Sequence, residues 1–496
     1  MEIDWIGRLK TVKPQVRNFI NGRWQAGSGT EKLEKISPRD GQLLCEFGAG
    51  DEKEVDEVVA LARQSFEDGR WSKLPVQRRK DVLHKLADLI ERHREDLALQ
   101  ESLDVGKPIS NALSFDIPMA AETIRFSAEA ADKFYGRVYG ADPTNLSYQL
   151  RRPIGVVAGI TAWNFPFLIA AAKVGPALAT GNSLILKPSE LTSLTSARMA
   201  QLAVDAGVPE GVFNVIHGVG RIGAALARHR DVDLISFTGS TQTGKKLFTA
   251  AGESNMKRLV LECGGKAPNI VFEDAPNLEG VADAVLGRAF MNQGEVCTAS
   301  SRLLVHQSIK PEFMAIVAKK AAAFHPGDPL DPATRFGALV SRGHRDNVQG
   351  YIDGALKDGT KIAYQSSSPA PFEGGFYVPP IIFDSVSPEQ RIAKEEIFGP
   401  VLSVITFKDE EEAIRIANDT IYGLSAILWT QNMGRAHRMS QGIKAGWIVV
   451  NATDKPLGGP AHALSIGGHK QSGIGVEGGI AGLEEYTSST AVQYYV

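Results

Sequence analysis

Between residues 51 and 68 the apolar positions Val55, Val58, Val59, Ala62 and Phe66 recur at helical spacing. Asp51 stands where a cap would, with Glu54 three residues on. A second stripe, Val82, Leu83, Leu86, Leu89, Ile90 and Leu97, runs from Arg78 to Glu101. Both predict amphipathic helices in a front segment. From residue 154 the period changes. Short β-rich runs at 154–160, 183–187, 212–216 and 233–238 alternate with Ala-rich amphipathic stretches such as 192–206 and 240–251. Nearly continuous apolar strands alternating with helices predict a parallel sheet covered on both faces, with ligands beyond the carboxyl ends of its strands. A second series follows Gly264-Gly265, with strands at 269–273, 302–306, 424–430 and 447–451 and a helix near 310–323. The expected fold is α/β: two doubly wound domains facing one another across a cleft, plus a small β extension. The first domain takes 1–133 and 153–263, the second 264–465. The β-rich stretches 134–152 and 482–496 form the extension, and exposed strands of that kind pair with another subunit.

Composition narrows the function classes. A chain of 496 residues is too long for one core, and 43% apolar with 22% charged residues is an ordinary globular mix. A net charge of −3 leaves no basic footprint for nucleic acid, so small organic substrates are expected. No run approaches ~20 consecutive apolar residues, so no membrane span is expected. Three cysteines, Cys45, Cys263 and Cys297, argue against a disulfide framework and for a reducing compartment. The opening MEIDWIGRLK lacks the apolar run of a secretory signal, which adds to a cytoplasmic expectation. The ten histidines show no HExxH or CxxC grouping, so no metal is expected.

Several residues could carry chemistry. Cys297 lies in FMNQGEVCTASSR, among small polar residues; a nucleophilic thiol needs access and a lowered pKa, and a cysteine taken alone is more often packing. Glu262 closes the apolar strand of LVLECGGK, where burial would raise its pKa towards that of a general base; the alternative is a solvated strand end. In Trp163-Asn164-Phe165-Pro166 the asparagine can donate to an oxyanion while the aromatics wall a pocket, or it merely forms a turn. Lys187 and Glu190, in KPSE, could hold a ribose, the carboxylate repelling a 2′-phosphate, or form an exposed ion-pair turn. Two Gly-rich stretches compete for phosphates: Gly218-Val219-Gly220-Arg221-Ile222-Gly223, and the turn Phe237-Thr238-Gly239-Ser240 with its hydroxyls. KEEIFGP at 394–400 reads in isolation as a solvated loop.

Taken in order, WNFP, KPSE, FTGSTxxG, LExGGK, NQGExC and EEIFGP resemble the aldehyde dehydrogenase superfamily, from FINGRW at 19–24 almost to the C-terminus. The resemblance implies NAD-dependent oxidation of an aldehyde to a carboxylic acid, with the first domain, Rossmann-like, binding NAD and the second catalytic. Cys297 then matches the nucleophile that forms a thiohemiacetal and a thioester, Glu262 the base for the deacylating water, and Asn164 the oxyanion donor. Lys173 and Glu477 match positions that relay protons from the base. Lys187 and Glu190 match adenosine-ribose contacts favouring NAD over NADP. Gly239 and Ser240 match the pyrophosphate turn, Gly218 and Gly220 fall near the adenine, and Trp163, Glu396 and Phe398 border the nicotinamide. The family suggests homodimers or homotetramers built through the β extension. The competing readings are a CoA-acylating relative, a catalytically silent binding protein on the same scaffold and, weakest, a plain cysteine hydrolase without a partner histidine.

This chain also departs from the pattern. Cys263 replaces a leucine frequent in relatives, Gln242 replaces a frequent glutamate, and the loop 452–464 is longer. FEDGRWS, ESLDVGKPI and AGESNMKR most resemble dehydrogenases of ω-amino, γ-glutamylamino and guanidino aldehydes. Phe165, Ser127, Ala172 and Ile466 fall at substrate-contact positions. Ser127 and Ala172 stand where many relatives carry Tyr and Trp, which implies a wider, less aromatic tunnel for bulkier or more apolar aldehydes.

Overall fold

The computed structural model describes residues 3–452 and 463–495. Its largest sheet has eight strands in the order Arg23–Gln25, Asn18–Ile20, Phe213–Val215, Ser183–Lys187, Val156–Ile160, Leu234–Thr238, Arg258–Glu262 and Gly473–Ile474. The five strands from Phe213–Val215 to Arg258–Glu262 run parallel, and the edges pair antiparallel. In chain order these five lie 3-2-1-4-5, so the order reverses between Val156–Ile160 and Leu234–Thr238. The connections there leave towards opposite faces and open a crevice at the carboxyl ends. Val156–Ile160 and Ser183–Lys187 are buried along their whole length, as their continuous apolar pattern requires.

The helices in front follow the apolar spacing, with two differences. In Glu52–Glu67 the Asp51 carboxylate accepts from the Glu54 N–H at 2.8 Å, and Val55, Val58, Val59 and Ala62 are buried. Phe66 is only half-buried; Ser65 takes the next inward place, bonded to Ala62 O and to the Ser183 hydroxyl. The 78–101 stripe belongs to two helices, Val76–Arg92 and Arg94–Val105, broken at His93. Gly106, at φ +88°, closes the second in the left-handed region that a Cβ disfavours.

A second sheet has seven strands: Lys361–Gln365, Ile381–Asp384, Val401–Phe407, Arg302–His306, Pro268–Val271, Ser425–Trp429 and Trp447–Val450. All are parallel except the edge strand Lys361–Gln365. Apolar clusters cover both faces of each of these sheets. A third sheet joins Val138–Asp142, Asn145–Pro153 and Thr487–Tyr495, antiparallel, with Asn145–Pro153 in the middle. Tyr148 stacks on Tyr494 there, while Val138, Tyr139, Leu146 and Tyr495 are exposed. After Ile466 the chain returns to the first sheet, where Gly473–Ile474 pairs with Leu261–Glu262. Of the longer loop expected at 452–464, residues 453–462 lie outside the described residues. Among the described residues no helix is long and apolar enough to cross a membrane.

Candidate active site

The first sheet offers the carboxyl ends of its strands to the cleft, and the second offers the amino ends. Trp163 and Asn164 follow Ile160, Gly239 and Ser240 follow Thr238, and Glu262 ends its own strand. From the other side, Gly264-Gly265 lead into Pro268–Val271, Cys297 precedes Arg302–His306, and Glu396–Phe398 precede Val401–Phe407. The two sheets enclose a cavity of about 530 Å³. Its lining includes most of the residues singled out in the sequence: Trp163, Asn164, Phe165, Ser127, Ala172, Gly239, Ser240, Glu262, Cys297, Glu396, Phe398, Ile466 and Glu477.

Cys297 follows the turn Met291–Gly294, in which Asn292 (φ +48°) and Gln293 (φ +58°) are both left-handed. Side chains hold this costly backbone. Gln293 Nε2 donates to Ala338 O at 3.2 Å, and its Oε1 accepts from Gly337 N at 3.1 Å. Asn292 Nδ2 donates to Asn164 O at 3.0 Å. Asn164 Nδ2 in turn donates to Glu295 O at 2.9 Å, so one of its two amide hydrogens is committed and one remains. A Cβ at Gly265 would collide with the carbonyl oxygen of Cys297, so only glycine lets the Cys297 backbone cross so close to the first sheet's exit. Burial, with Glu396 and Glu262 nearby, pushes the Cys297 thiol up to about 12, against the backbone N–H groups of Thr298 and Cys297. The lowered pKa sought for a nucleophile is therefore absent: two carboxyl groups and burial outweigh the backbone donors. Cys263 is buried but also lines the cavity, whereas Cys45 lies away from it in the strand Leu43–Gly48.

Glu262 is half-buried, and its Oε1, shut off from solvent, has no hydrogen-bond partner. Burial pushes its carboxyl up to about 8, opposed by the nearby Lys173 ammonium. Lys173 lies beneath the cavity, fully buried on the helix Pro166–Ala179, and burial pulls its pKa down. It forms an ion pair with Glu477, whose backbone bonds that of Ile466 in both directions at 2.8 Å. Glu396 Oε1 accepts from the Gly265 N–H at 2.8 Å, and burial pushes this carboxyl up to about 7. Trp163 meets the left-handed Phe398 edge-on, ring centroids 5.1 Å apart.

Two functional-site residues escape a sequence reading. His344 packs edge-on against Trp163 at 5.0 Å, and its Nε2–H donates to Phe398 O at 2.7 Å. Its segment, SRGHRDNV, reads as a solvated helix start and carries no signal of this contact. Glu295 is fully buried behind Cys297, its Oε1 accepting from Val340 N at 3.0 Å, and burial raises its pKa.

Lys187, Glu190 and Gly220 do not line this cavity. Lys187, buried at the end of its strand, pairs with the partly exposed Glu190 at 3.2 Å. Gly220 opens the helix Gly220–Arg228, exposed, with open space where a Cβ would be. Of the two Gly-rich stretches, only the second reaches the cavity, through Thr238, Gly239 and Ser240. The Ser240 hydroxyl caps the helix Thr241–Glu253 by accepting from Thr243 N at 3.2 Å. Thr238 Oγ1 lines the same place, buried and without a partner. Ser127 turns its hydroxyl away from the tunnel, donating to Thr123 O at 2.9 Å, so that wall is effectively apolar. Among the described residues no cluster of three or more His, Cys, Asp or Glu could hold a metal ion.

Comparison with known proteins agrees with this geometry. The model of the aldehyde dehydrogenase family matches residues 24–492. The NADP/NAD-dependent aldehyde dehydrogenase PuuC of Escherichia coli (strain K12) is 46% identical over 486 residues, covering 97% of this chain and 96% of PuuC. The crystal structure of the aldehyde dehydrogenase KauB from Pseudomonas aeruginosa superposes with a TM-score of 0.95 at 47% identity, covering 99% of each chain. The indole-3-acetaldehyde dehydrogenase AldA of P. syringae, in complex with NAD+ and IAA, gives 0.96 at 46% identity over 99% of each chain. With a family model spanning nearly its whole length and a site built at the seam of its two large sheets, the chain belongs to the aldehyde dehydrogenase family.

Proposed function

We propose that this protein oxidises an aldehyde to a carboxylic acid with NAD, using Cys297 as nucleophile and Glu262 as base. The observation that carries the reading is the unpartnered Glu262 carboxyl in the same cavity as the Cys297 sulfur and the spare amide hydrogen of Asn164. NAD fits the residues present: Thr238 Oγ1 is orphaned beside Gly239-Ser240, and the Lys187–Glu190 pair stands at the end of the strand two places along the same sheet. Lys187 and Glu190 would hold the adenosine ribose, Gly220 would lie near the adenine, Gly239 and Ser240 would take the pyrophosphate, and Trp163, Glu396 and Phe398 the nicotinamide side. When bound, NAD accepts the hydride. Residues 1–133 and 153–263 then form its domain, and 264–465 the catalytic one.

The protein's own part runs in two halves. As the Cys297 sulfur adds to the carbonyl carbon, its proton must leave; of the two nearby carboxyls with raised pKa, Glu396 is held by the Gly265 N–H, which leaves the unpartnered Glu262 to accept it. The developing oxyanion takes hydrogen bonds from the Asn164 amide and the Cys297 backbone N–H. Once the thiohemiacetal has given up its hydride, the thioester left on Cys297 is cleaved by water that Glu262 deprotonates, while Lys173 and Glu477 carry protons away from that base. A carboxylate so placed favours water over CoA as acyl acceptor.

The tunnel wall of Phe165, Ala172, Ser127 and Ile466 is apolar, which suits bulky, uncharged aldehydes. The resemblance to an indole-3-acetaldehyde dehydrogenase supports this. Three free cysteines suit a reducing, cytoplasmic setting, and the three-stranded sheet suits a homodimer or homotetramer. The test is NADH and acid formation by purified protein, with NAD or NADP and with or without CoA. Acid without CoA and NADH with NAD are expected; Cys297→Ser should abolish NADH while NAD still quenches tryptophan fluorescence. Acyl-CoA as the product would overturn the hydrolytic reading. A hundredfold preference in kcat/KM for a cationic aminoaldehyde over an aromatic one would overturn the tunnel reading.

A further inference from the structure

The run ESLDVGKPI at 101–109 contributes nothing to the lining of the cavity, yet its polar side chains Glu101, Ser102, Asp104 and Lys107 are all fully buried, and Glu101 and Lys107 reach the turn that presents Asn164. Glu101 Oε1 accepts from the Phe167 N–H at 3.1 Å, in the first turn of the helix Pro166–Ala179. Its Oε2 accepts from the Thr195 hydroxyl at 2.9 Å. Ser102 Oγ donates to Lys107 O at 2.7 Å and fixes the loop after Gly106. Lys107 is wholly buried, forms an ion pair with Asp116, and sets its ammonium 4.0 Å from the centre of the Phe165 ring. Asp116 ends a π-helical turn, Ala112–Asp116, whose Phe115 meets the same Phe165 ring edge-on at 6.4 Å. Such turns carry one residue more than an α-helical turn and cost helix stability, so they persist where they place a side chain.

Phe165 is thus gripped on its buried side by an ammonium and a second ring, and Phe167 by a carboxyl. Asn164 immediately precedes this pair, and its amide must meet the oxyanion to within a few tenths of an ångström. Burying charges this completely is costly unless a specific geometry repays it.

We infer that Lys107, seated on Asp116, is a positioning residue that fixes the Asn164 amide against Cys297 through the Phe165 ring, although it touches neither substrate nor cofactor. The inference rests on Asn164 being the oxyanion donor. Lys107→Met alone would strand a buried Asp116, so the variant of choice is Lys107→Met/Asp116→Leu, which removes the pair together and keeps the volume apolar. Its thermal unfolding midpoint should stay near that of the wild type. Its kcat should fall about tenfold with the KM for NAD within about twofold, since displacement and not binding is at stake.

The deciding measurement is a cycle with Asn164→Ala, which alone should cost about 10²–10³ in kcat. The triple variant should be no more than about threefold slower than Asn164→Ala, because a group that acts through the amide has nothing left to position. Losses that multiply would overturn the inference. Should the pair variant fail to fold, the same cycle with Phe165→Leu, which removes the gripped ring and no charge, decides between the same outcomes. If Asn164→Ala itself loses nothing, it is the oxyanion assignment, and not the role of Lys107, that has failed.

Discussion

Glu262 owes its chemistry to its address. At the last position of a strand whose neighbours are apolar, it is desolvated on the sheet side and open to reactants on the other. Burial disfavours its charged form, so the carboxylate able to take a proton grows in only as pH rises through about 8. A hydrolysis-limited kcat should therefore climb across that pH and level above it, where an ordinary carboxylate would already be flat. Glu262→Gln should remove the climb and lower kcat about 10²–10⁴-fold while keeping a first burst of NADH, as stopped-flow absorbance would record. An unchanged profile in the variant would assign the titration to another group. The neighbouring thiol carries the opposite lesson. Cys297 sits among small polar residues in the sequence, which by itself does not tell an activated sulfur from a packed one. The fold buries it and brings Glu396 and Glu262 beside it from other elements; burial first, and these carboxyls after it, hold the proton on.

Elements formed where local rules and burial agree. The strands Ser183–Lys187 and Arg302–His306 lie where their apolar runs put them, and the capped helix Glu52–Glu67 begins at its predicted signal. Asp51→Ala should cost about 1 kcal/mol, the usual worth of an N-cap, and leave kcat/KM alone; urea unfolding followed by circular dichroism would show it. What the sequence could not disclose came from contacts between distant segments. Nothing in Ala112–Asp116 marks a π-turn, because its reason is Lys107 and Phe165. The break at His93 interrupts no apolar stripe, since Ile90 before it and Leu97 after it are buried in the same cluster. His344 and Glu295 joined the site through Phe398 and Val340, partners far away in the chain. The order of the motifs made the reacting groups legible; the groups that hold them in place were not.

At the scale of the whole molecule, the third sheet ties the two ends of the story together. Thr487–Tyr495 covers one edge of Asn145–Pro153 and leaves a rim of exposed tyrosines. Ending the chain at Tyr486, whose hydroxyl anchors to Ser236 inside the first sheet at 2.8 Å, should strip that rim yet spare the core. Light scattering after size exclusion should then report monomers in place of dimers or tetramers; an unchanged mass would move the subunit contact elsewhere. The two large sheets have a different joint. Since the carboxyl ends of one abut the amino ends of the other, the reacting atoms belong to neither, and their spacing depends on how tightly the halves close. Gly265 sets that closure. It bears no functional group, yet a single methyl there would wedge the turn that carries Cys297 away from Glu262. In a saturation screen for turnover, position 265 should tolerate replacement as poorly as position 297, an intolerance born of thickness and not of reactivity.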